Sequence, residues 1–181
     1  MSLKRETCTG LSGLSQITDY LFLSNARAAS DVALLTRNGI TCVISVTETA
    51  AAPPPGVELL HIPVSDSPSA PLGDYFDQLS ERIRATAQVG GRTLVHCNAG
   101  VSRSASVCMA YLVRHRGASL LEAHQWVKKC RAVARPNAGF WKQLIRYEQG
   151  VRGCTSVRMV STSMGEVPHI YEEESRNMMP L

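Results

Sequence analysis

The residues whose types are best suited to catalysis lie in one short segment, VHCNAGVSRS, in which Cys97, Gly100, Arg103 and Ser104 follow an apolar run. A thiol becomes a nucleophile once it is ionised, and a nest of backbone N–H groups favours the ionised form. Gly100 permits the backbone angles that such a nest needs. An arginine can present two parallel donors to two oxygens of a tetrahedral oxyanion, which a lysine cannot do. The segment therefore predicts an oxyanion site beside a reactive thiolate, with Ser104 as a donor to the sulfur.

The elements on either side of this segment are suited to hold such a site. A short buried strand is predicted at Thr93–His96, and an apolar helix at Ser104–His115. Ligands of open α/β sheets bind beyond the carboxyl ends of strands, and a helix N-terminus directs unpaired N–H groups and a positive dipole end at that position. The inner residues of the loop, 98–102, are small or polar and are predicted to bind the anion.

The spacing of cysteine and arginine alone is weak evidence. Cys108 and Arg114 have the same spacing, but both fall inside the predicted helix, where no anion loop could form, so we interpret that match as accidental. A plain strand-to-helix turn with a buried cysteine is the structural alternative for the first match. Apolar burial would explain Cys97 but not Arg103.

Along the rest of the chain, predicted strands alternate with predicted helices, which indicates an α/β fold with a largely parallel sheet. The strands are predicted at 16–18, 20–23, 40–46, 57–64 and 93–96. The helices are predicted at 28–37, 72–89 and 104–115, from the capping box at Ser119 to Pro136, and at 138–149. This gives a flexible N-terminus at 1–12, a catalytic domain at 13–153 and a C-terminal tail at 154–181.

Composition sets wider limits. With 181 residues the chain fits one domain, and a net charge of +4 suits anionic substrates but is too small and scattered to indicate nucleic acid. No signal peptide and no membrane span are predicted, and the six irregularly spaced cysteines indicate free thiols in a reducing compartment. We expect a cytoplasmic protein, with the nucleus as a further location.

The segment HCNAGVSRSA resembles the signature loop of the cysteine-dependent protein tyrosine phosphatases, in particular the dual-specificity branch. The stretches Ala110–Val113 (AYLV) and Arg135–Asn137 (RPN), with the GFW that follows, resemble its small atypical members. The resemblance covers about Gly13 to Gln149 and implies a central mixed, mostly parallel sheet flanked by helices. Asn98 departs from the Ala or Lys that relatives often carry there, which puts contacts at the pocket rim in doubt.

Breaking a phosphoester requires a general acid for the leaving oxygen, and Asp66 is our candidate. It follows a predicted strand in a loop rich in breakers, residues 65–71 (the acid loop), and resembles the family acid in position. A turn aspartate that bonds its own backbone is the alternative. Asp74, the other nearby acid, is better explained as a helix-start charge.

Four further residues are assigned supporting or alternative roles. The resemblance implies that His96 orients the loop and tunes the thiol, and that Asn137 braces it, although Asn137 could equally cap the next helix. Arg135 and Arg131 could add positive potential near the mouth, and a solvated surface charge is at least as good an interpretation of Arg131.

The histidines and cysteines also bear on metal and redox chemistry. The histidines show no metal-ligand spacing with the cysteines, so we expect no metal, and the resemblance implies no cofactor. A protective disulfide between Cys42 and Cys97 under oxidation is a further hypothesis.

The resemblance implies a phosphatase that acts on phosphotyrosine and phosphoserine or phosphothreonine through a phosphocysteine at Cys97, with Arg103 as the phosphate clamp and Asp66 as the acid and base. Phosphoproteins, including MAP kinases or other signalling proteins, are the expected partners. A phosphoinositide phosphatase, a phosphate-binding pseudoenzyme or scaffold, and a sulfurtransferase are the alternatives. The absence of charge inside the loop disfavours the phosphoinositide phosphatase. The presence of Cys97, Arg103 and Asp66 disfavours the pseudoenzyme or scaffold, and the presence of Asp66 and Ser104 disfavours the sulfurtransferase.

Overall fold

A computed structural model describes residues 13–178, and its centre is a five-stranded sheet in the order β1-β2-β5-β3-β4. The first two strands are antiparallel, and all other neighbours in the sheet are parallel. The strands are β1 (Ser15–Thr18), β2 (Leu21–Ser24), β3 (Cys42–Val46), β4 (Glu58–Ile62) and β5 (Thr93–His96). The predicted α/β class with a mostly parallel sheet is confirmed.

Helices cover both faces of this sheet. They are α1 (Ala26–Ala29), α2 (Val32–Arg37), α3 (Phe76–Gln88), α4 (Arg103–His115), α5 (Leu120–Cys130) and α6 (Ala138–Arg152), with a 3₁₀ turn at Leu72–Tyr75. Every residue of β3 and β5 is buried, as expected for central parallel strands covered on both sides. None of the helices within residues 13–178 has both the length and the apolar character needed to cross a bilayer.

The core is divided by the sheet into two clusters. The larger one lies on the face covered by α3 to α6 and includes Phe76, Leu112 and Phe140. The smaller one lies under α1 and α2 and includes Leu35 and Leu94. Helix α4 is buried on nearly all sides, from Arg103 to Val113, so the element that follows the reactive cysteine is fixed in the centre of the domain.

Two of the helices differ most from the predictions. The single helix predicted at 28–37 is split, because Asp31 adopts an extended conformation and caps α2 through the N–H of Leu34. The capping box of Ser119 and Glu122 is confirmed, but α5 ends at Cys130 rather than at Pro136. Arg131 is already extended, so residues 131–137 form a loop that passes beside the cysteine segment.

The segment predicted as a tail contains regular structure that packs on the domain. It forms a hairpin of β6 (Met159–Thr162) and β7 (Gly165–Pro168), followed by helix α7 (His169–Asn177). Tyr171 is buried, and its hydroxyl accepts a hydrogen bond of 2.9 Å from Trp141 Nε1. The predicted flexible N-terminus, residues 1–12, lies outside the described residues.

Candidate active site

Cys97 lies directly beyond the carboxyl end of β5, and the segment from residue 97 to 103 forms a tight loop (the cysteine loop) that leads into α4. The side chain of Cys97 is buried. Its Sγ lies 3.0 Å from the hydroxyl of Ser104 and accepts a hydrogen bond of 3.2 Å from the N–H of Gly100. The Ser104 hydroxyl and the Gly100 N–H thus both lie against the sulfur, where each could donate to a thiolate.

The carbonyl groups of the cysteine loop point away from its centre. Four consecutive carbonyl oxygens accept hydrogen bonds from surrounding elements. The donors are the N–H of Ala26 for Asn98 (3.1 Å), Arg131 Nη2 for Ala99 (3.4 Å), Arg131 Nε for Gly100 (2.7 Å) and the N–H of Arg135 for Val101 (2.7 Å). Because N–H and C=O point in opposite directions in a trans peptide, the N–H groups of this stretch are directed inward. The result is a concave anion cradle.

Arg131 is the main support of this arrangement, and its interpretation as a solvated charge is wrong. Only 3% of the residue is exposed, because its guanidinium lies on the carbonyls of the cysteine loop and also bonds Ser15 Oγ at 3.2 Å. Burial lowers the pKa of Arg131 from its ordinary value, while the neighbouring Cys97 and Cys108 raise it. The cation therefore stabilises both the loop and a negative sulfur.

Gly100 is required by two separate constraints. Its φ of +67° lies in the left-handed region, and a Cβ at this position would lie 2.7 Å from the backbone carbonyl of Ser24. The glycine thus allows the cysteine loop to pass close to the end of β2.

Arg103 is buried at the first turn of α4 and is oriented by groups outside the loop. Its Nη1 donates to the carbonyl oxygen of Val64 at 3.1 Å and lies 3.4 Å from the carboxylate of Glu48. Its buried Nε has no hydrogen-bond partner among the described residues. An unpaired buried donor calls for an explanation, and an oxygen of a bound oxyanion would supply the missing acceptor. Sequence reasoning missed Glu48, since its contact with Arg103 joins residues far apart in the chain.

Asn137 connects the acid loop to the cysteine loop. Its Nδ2 donates to Asp66 Oδ1 at 2.9 Å, and its backbone N–H donates to Ser102 Oγ at 2.9 Å. Its own Oδ1 caps α6 by accepting from the N–H of Phe140. Both interpretations of Asn137 therefore hold. The Ser102 side chain forms no cap on α4, so it does not occupy the first N–H groups of that helix, and such groups are typical anion donors.

His96 is buried beneath the cysteine loop. Its Nδ1 lies 3.3 Å from the carbonyl oxygen of Cys97, and desolvation lowers the pKa of His96 from its ordinary value. A neutral imidazole in this position fits the predicted role in orienting the loop better than proton transfer.

The hypothesised disulfide between Cys42 and Cys97 is wrong for the folded chain. In the sheet, Cys42 is opposite Thr93, and Ser45 is opposite His96. Cys42 is thus four residues from Cys97 along the strands, which is roughly 13 Å at about 3.3 Å per residue. A disulfide needs Cα atoms within about 7 Å.

The second cysteine–arginine pair and the large aromatic residues of α6 lie outside the cysteine loop. Cys108 and Arg114 both lie within α4, and burial raises the pKa of the Cys108 thiol. Phe140 and Trp141 are fully buried core residues. Within residues 13–178 no group of three or more His, Cys, Asp and Glu side chains is arranged to hold a metal ion.

Comparison with known proteins shows similarity over most of the chain. Residues 21–150 match the family model described as the dual specificity phosphatase, catalytic domain. The chain is 48% identical to human dual specificity protein phosphatase 18, over 94% of this chain and 92% of the relative. It is 47% identical to human dual specificity protein phosphatase 14, over 94% of this chain and 86% of the relative.

Solved structures agree with these sequence relationships. A crystal structure of a mouse dual specificity phosphatase complexed with zinc tungstate is 42% identical and has a TM-score of 0.76. The match covers 84% of this chain and 96% of the mouse chain.

Proposed function

The chain belongs to the dual-specificity phosphatase family and is a protein phosphatase of the tyrosine and serine/threonine class; on this premise we propose that Cys97 is its nucleophile, Arg103 its phosphate clamp and Asp66 its general acid and base. One observation carries the proposal. The four carbonyls of residues 98–101 are bonded to surrounding elements, so the N–H groups of the same peptides are directed towards the centre of the cysteine loop.

In the first step the Cys97 thiolate attacks the phosphorus of a phosphomonoester. The S–P bond forms as the P–O bond to the side-chain oxygen of the substrate breaks, and protonated Asp66 gives its proton to that oxygen. Arg103 and the inward N–H groups bind the equatorial phosphoryl oxygens, on which the charge of the transition state is spread. The products of this step are the free hydroxyl and a phosphocysteine.

In the second step water hydrolyses the phosphocysteine. The Asp66 carboxylate accepts a proton from the attacking water, the new P–O bond forms, and the S–P bond breaks to release inorganic phosphate. Ser104, 3.0 Å from the sulfur, donates a hydrogen bond to the departing thiolate.

The substrates are phosphoproteins, and within that class we infer that MAP kinases or other signalling proteins are dephosphorylated, in the cytoplasm or nucleus. Family resemblance alone supports this finer assignment. A panel of phosphotyrosine and phosphothreonine peptides from such kinases tests it, with vesicles that carry phosphoinositides as the competing substrate.

Turnover of an aryl phosphate by the wild type, Cys97→Ser and Asp66→Ala tests the mechanism. We expect Cys97→Ser to abolish turnover, and vanadate to compete with substrate in the wild type. Asp66→Ala should lower kcat by about 10²-fold or more with a poor leaving group, and less with an acidic one. Activity retained by Cys97→Ser would rule out Cys97 as the nucleophile. A wild type without turnover would favour a binding protein instead.

A further inference from the structure

The acid loop lies on one side of α6 and is held there at several points along its length. Asn137, at the start of the helix, bonds Asp66 as described above. Two turns further on, Gln143 Nε2 donates to the carbonyl oxygen of Ala70 at 2.9 Å, and Gln143 Oε1 accepts from the N–H of Gly73 at 2.6 Å. Gln143 therefore satisfies backbone groups of the loop end and of the 3₁₀ turn that follows it.

Between these two contacts, Gly139 lets the backbone of the acid loop touch the helix. A Cβ on Gly139 would lie 1.8 Å from the carbonyl oxygen of Pro68, 2.4 Å from its carbonyl carbon and 2.5 Å from its Cα. These are backbone atoms of the acid loop, which cannot rotate away as a flexible side chain would. Any residue other than glycine would therefore displace the loop two residues after Asp66.

A second glycine of the same helix provides a comparison. Glycine costs about 1 kcal/mol relative to alanine inside a helix, so each glycine in α6 needs a reason. Around Gly150 nothing lies within 4 Å of an added Cβ, whereas Gly139 has the backbone of Pro68 in its place. The special requirement at position 139 is therefore imposed by the acid loop and not by the helix.

We propose that Gly139 and Gln143 are positioning residues for the general acid. They hold the acid loop at the distance from the cysteine loop that lets Asp66 reach the leaving oxygen. The proposal rests on the proposed function, in which Asp66 is the acid. Proton transfer requires heavy atoms within hydrogen-bond reach, so a shift of the loop by about 1 Å is costly.

Two substrates with different leaving groups separate positioning of the acid from general stability. For Gly139→Ala we expect kcat with phenyl phosphate to fall by about 10²-fold, while kcat with p-nitrophenyl phosphate falls only a few-fold. The activated nitrophenolate needs little protonation as it leaves. Gly150→Ala, the matched control in the same helix, should retain wild-type kcat with both substrates.

Gln143→Ala is the second variant, and it keeps the test valid if Gly139→Ala does not fold. We expect the same dependence on the leaving group at smaller amplitude, about tenfold, since hydrogen bonds to the loop are lost without a steric clash. Gln149→Ala, at an exposed position of α6, is its control.

Double variants that combine each substitution with Asp66→Ala give the decisive measurement. If both residues act through the acid, Gly139→Ala or Gln143→Ala should lower kcat no further once Asp66 is alanine. Equal losses with both substrates, or additive losses in the Asp66→Ala background, would overturn the positioning role while leaving the proposed function intact. If Asp66→Ala itself lacked the leaving-group dependence, the acid assignment and the positioning role would fail together.

Discussion

Asn137 joins Asp66 to Ser102, so one residue ties the proposed acid to the loop that carries the proposed nucleophile. The side-chain amide holds the carboxylate of Asp66, and the backbone N–H of the same residue holds the Ser102 hydroxyl, each at 2.9 Å. The two halves of the active site thus share one support, and changes at Asn137 should affect their relative position.

The first prediction separates this link from the helix cap that Asn137 also provides. Asn137→Ser retains a capping side chain for α6 but loses the amide donor to Asp66, whereas Asn137→Ala loses both. We expect both variants to lower kcat with phenyl phosphate by about tenfold. Only Asn137→Ala should lower the free energy of unfolding, by about 1 kcal/mol in a denaturant titration. Wild-type turnover by Asn137→Ser would show that the link is not used.

The second prediction concerns Arg103 and uses the accidental motif in α4 as its control. A lysine at 103 cannot donate from two parallel N–H groups, so Arg103→Lys should lower kcat/KM by about 10²-fold or more. Arg114 has the same spacing from a cysteine but lies near the C-terminal end of α4 with an exposed side chain, so Arg114→Lys should leave kcat/KM unchanged. Similar losses in the two variants would show that Arg103 acts through stability alone.

Arg131 provides the third prediction. Arg131→Met keeps much of the side-chain volume but leaves two carbonyls of the cysteine loop without their donor. We expect the free energy of unfolding to fall by about 2 kcal/mol, and kcat/KM to fall because the anion cradle loses its support. Arg146→Met, at an exposed position of α6, is the control. An active and stable Arg131→Met would show that the cradle holds its shape without the buried cation.

The fourth prediction concerns pH and stability. Burial, with smaller contributions from Lys128 and Arg135, lowers the pKa of His124 to about 4. In the unfolded chain the pKa is about 6.5, so between these values the unfolded state binds a proton that the folded state does not. The contribution of His124 to the free energy of unfolding is therefore fully present above about pH 6.5. It decreases as the pH falls towards about 4, by up to about 1.4 kcal/mol per pH unit.

Denaturant titrations at about pH 7.5 and about pH 5 would measure this effect. His124→Gln should reduce the loss of stability between the two conditions without removing it, because burial also lowers the pKa values of His96 and His115. An unchanged loss in His124→Gln would assign the acid sensitivity to other groups.

The sequence was most informative where the chemistry is local. The strand, the cysteine loop and α4 are contiguous, so the spacing of Cys97, Gly100 and Ser104 already determines which groups meet at the sulfur. The acid needed the family resemblance as well, since nothing in residues 65–71 alone distinguishes Asp66 from a turn aspartate.

The supports of the site were harder to predict, because they depend on contacts between distant segments. Arg131 reaches Gly100 across 31 residues. Its charge alone indicates a surface position, because the sequence does not show that two carbonyls of the cysteine loop accept its hydrogen bonds. Gly139 did leave a signal, as a glycine inside an amphipathic helix usually has a packing reason. That reason, the backbone of Pro68, could not be found without the structure.

The outward bonding of the cysteine-loop carbonyls has a consequence for the end of the catalytic cycle. Since Ala26, Arg131 and Arg135 bond the carbonyls of the loop, released orthophosphate meets the same donors as the phosphorylated protein did. Product and substrate therefore compete for one anion site, and accumulated orthophosphate should slow the enzyme by occupying that site.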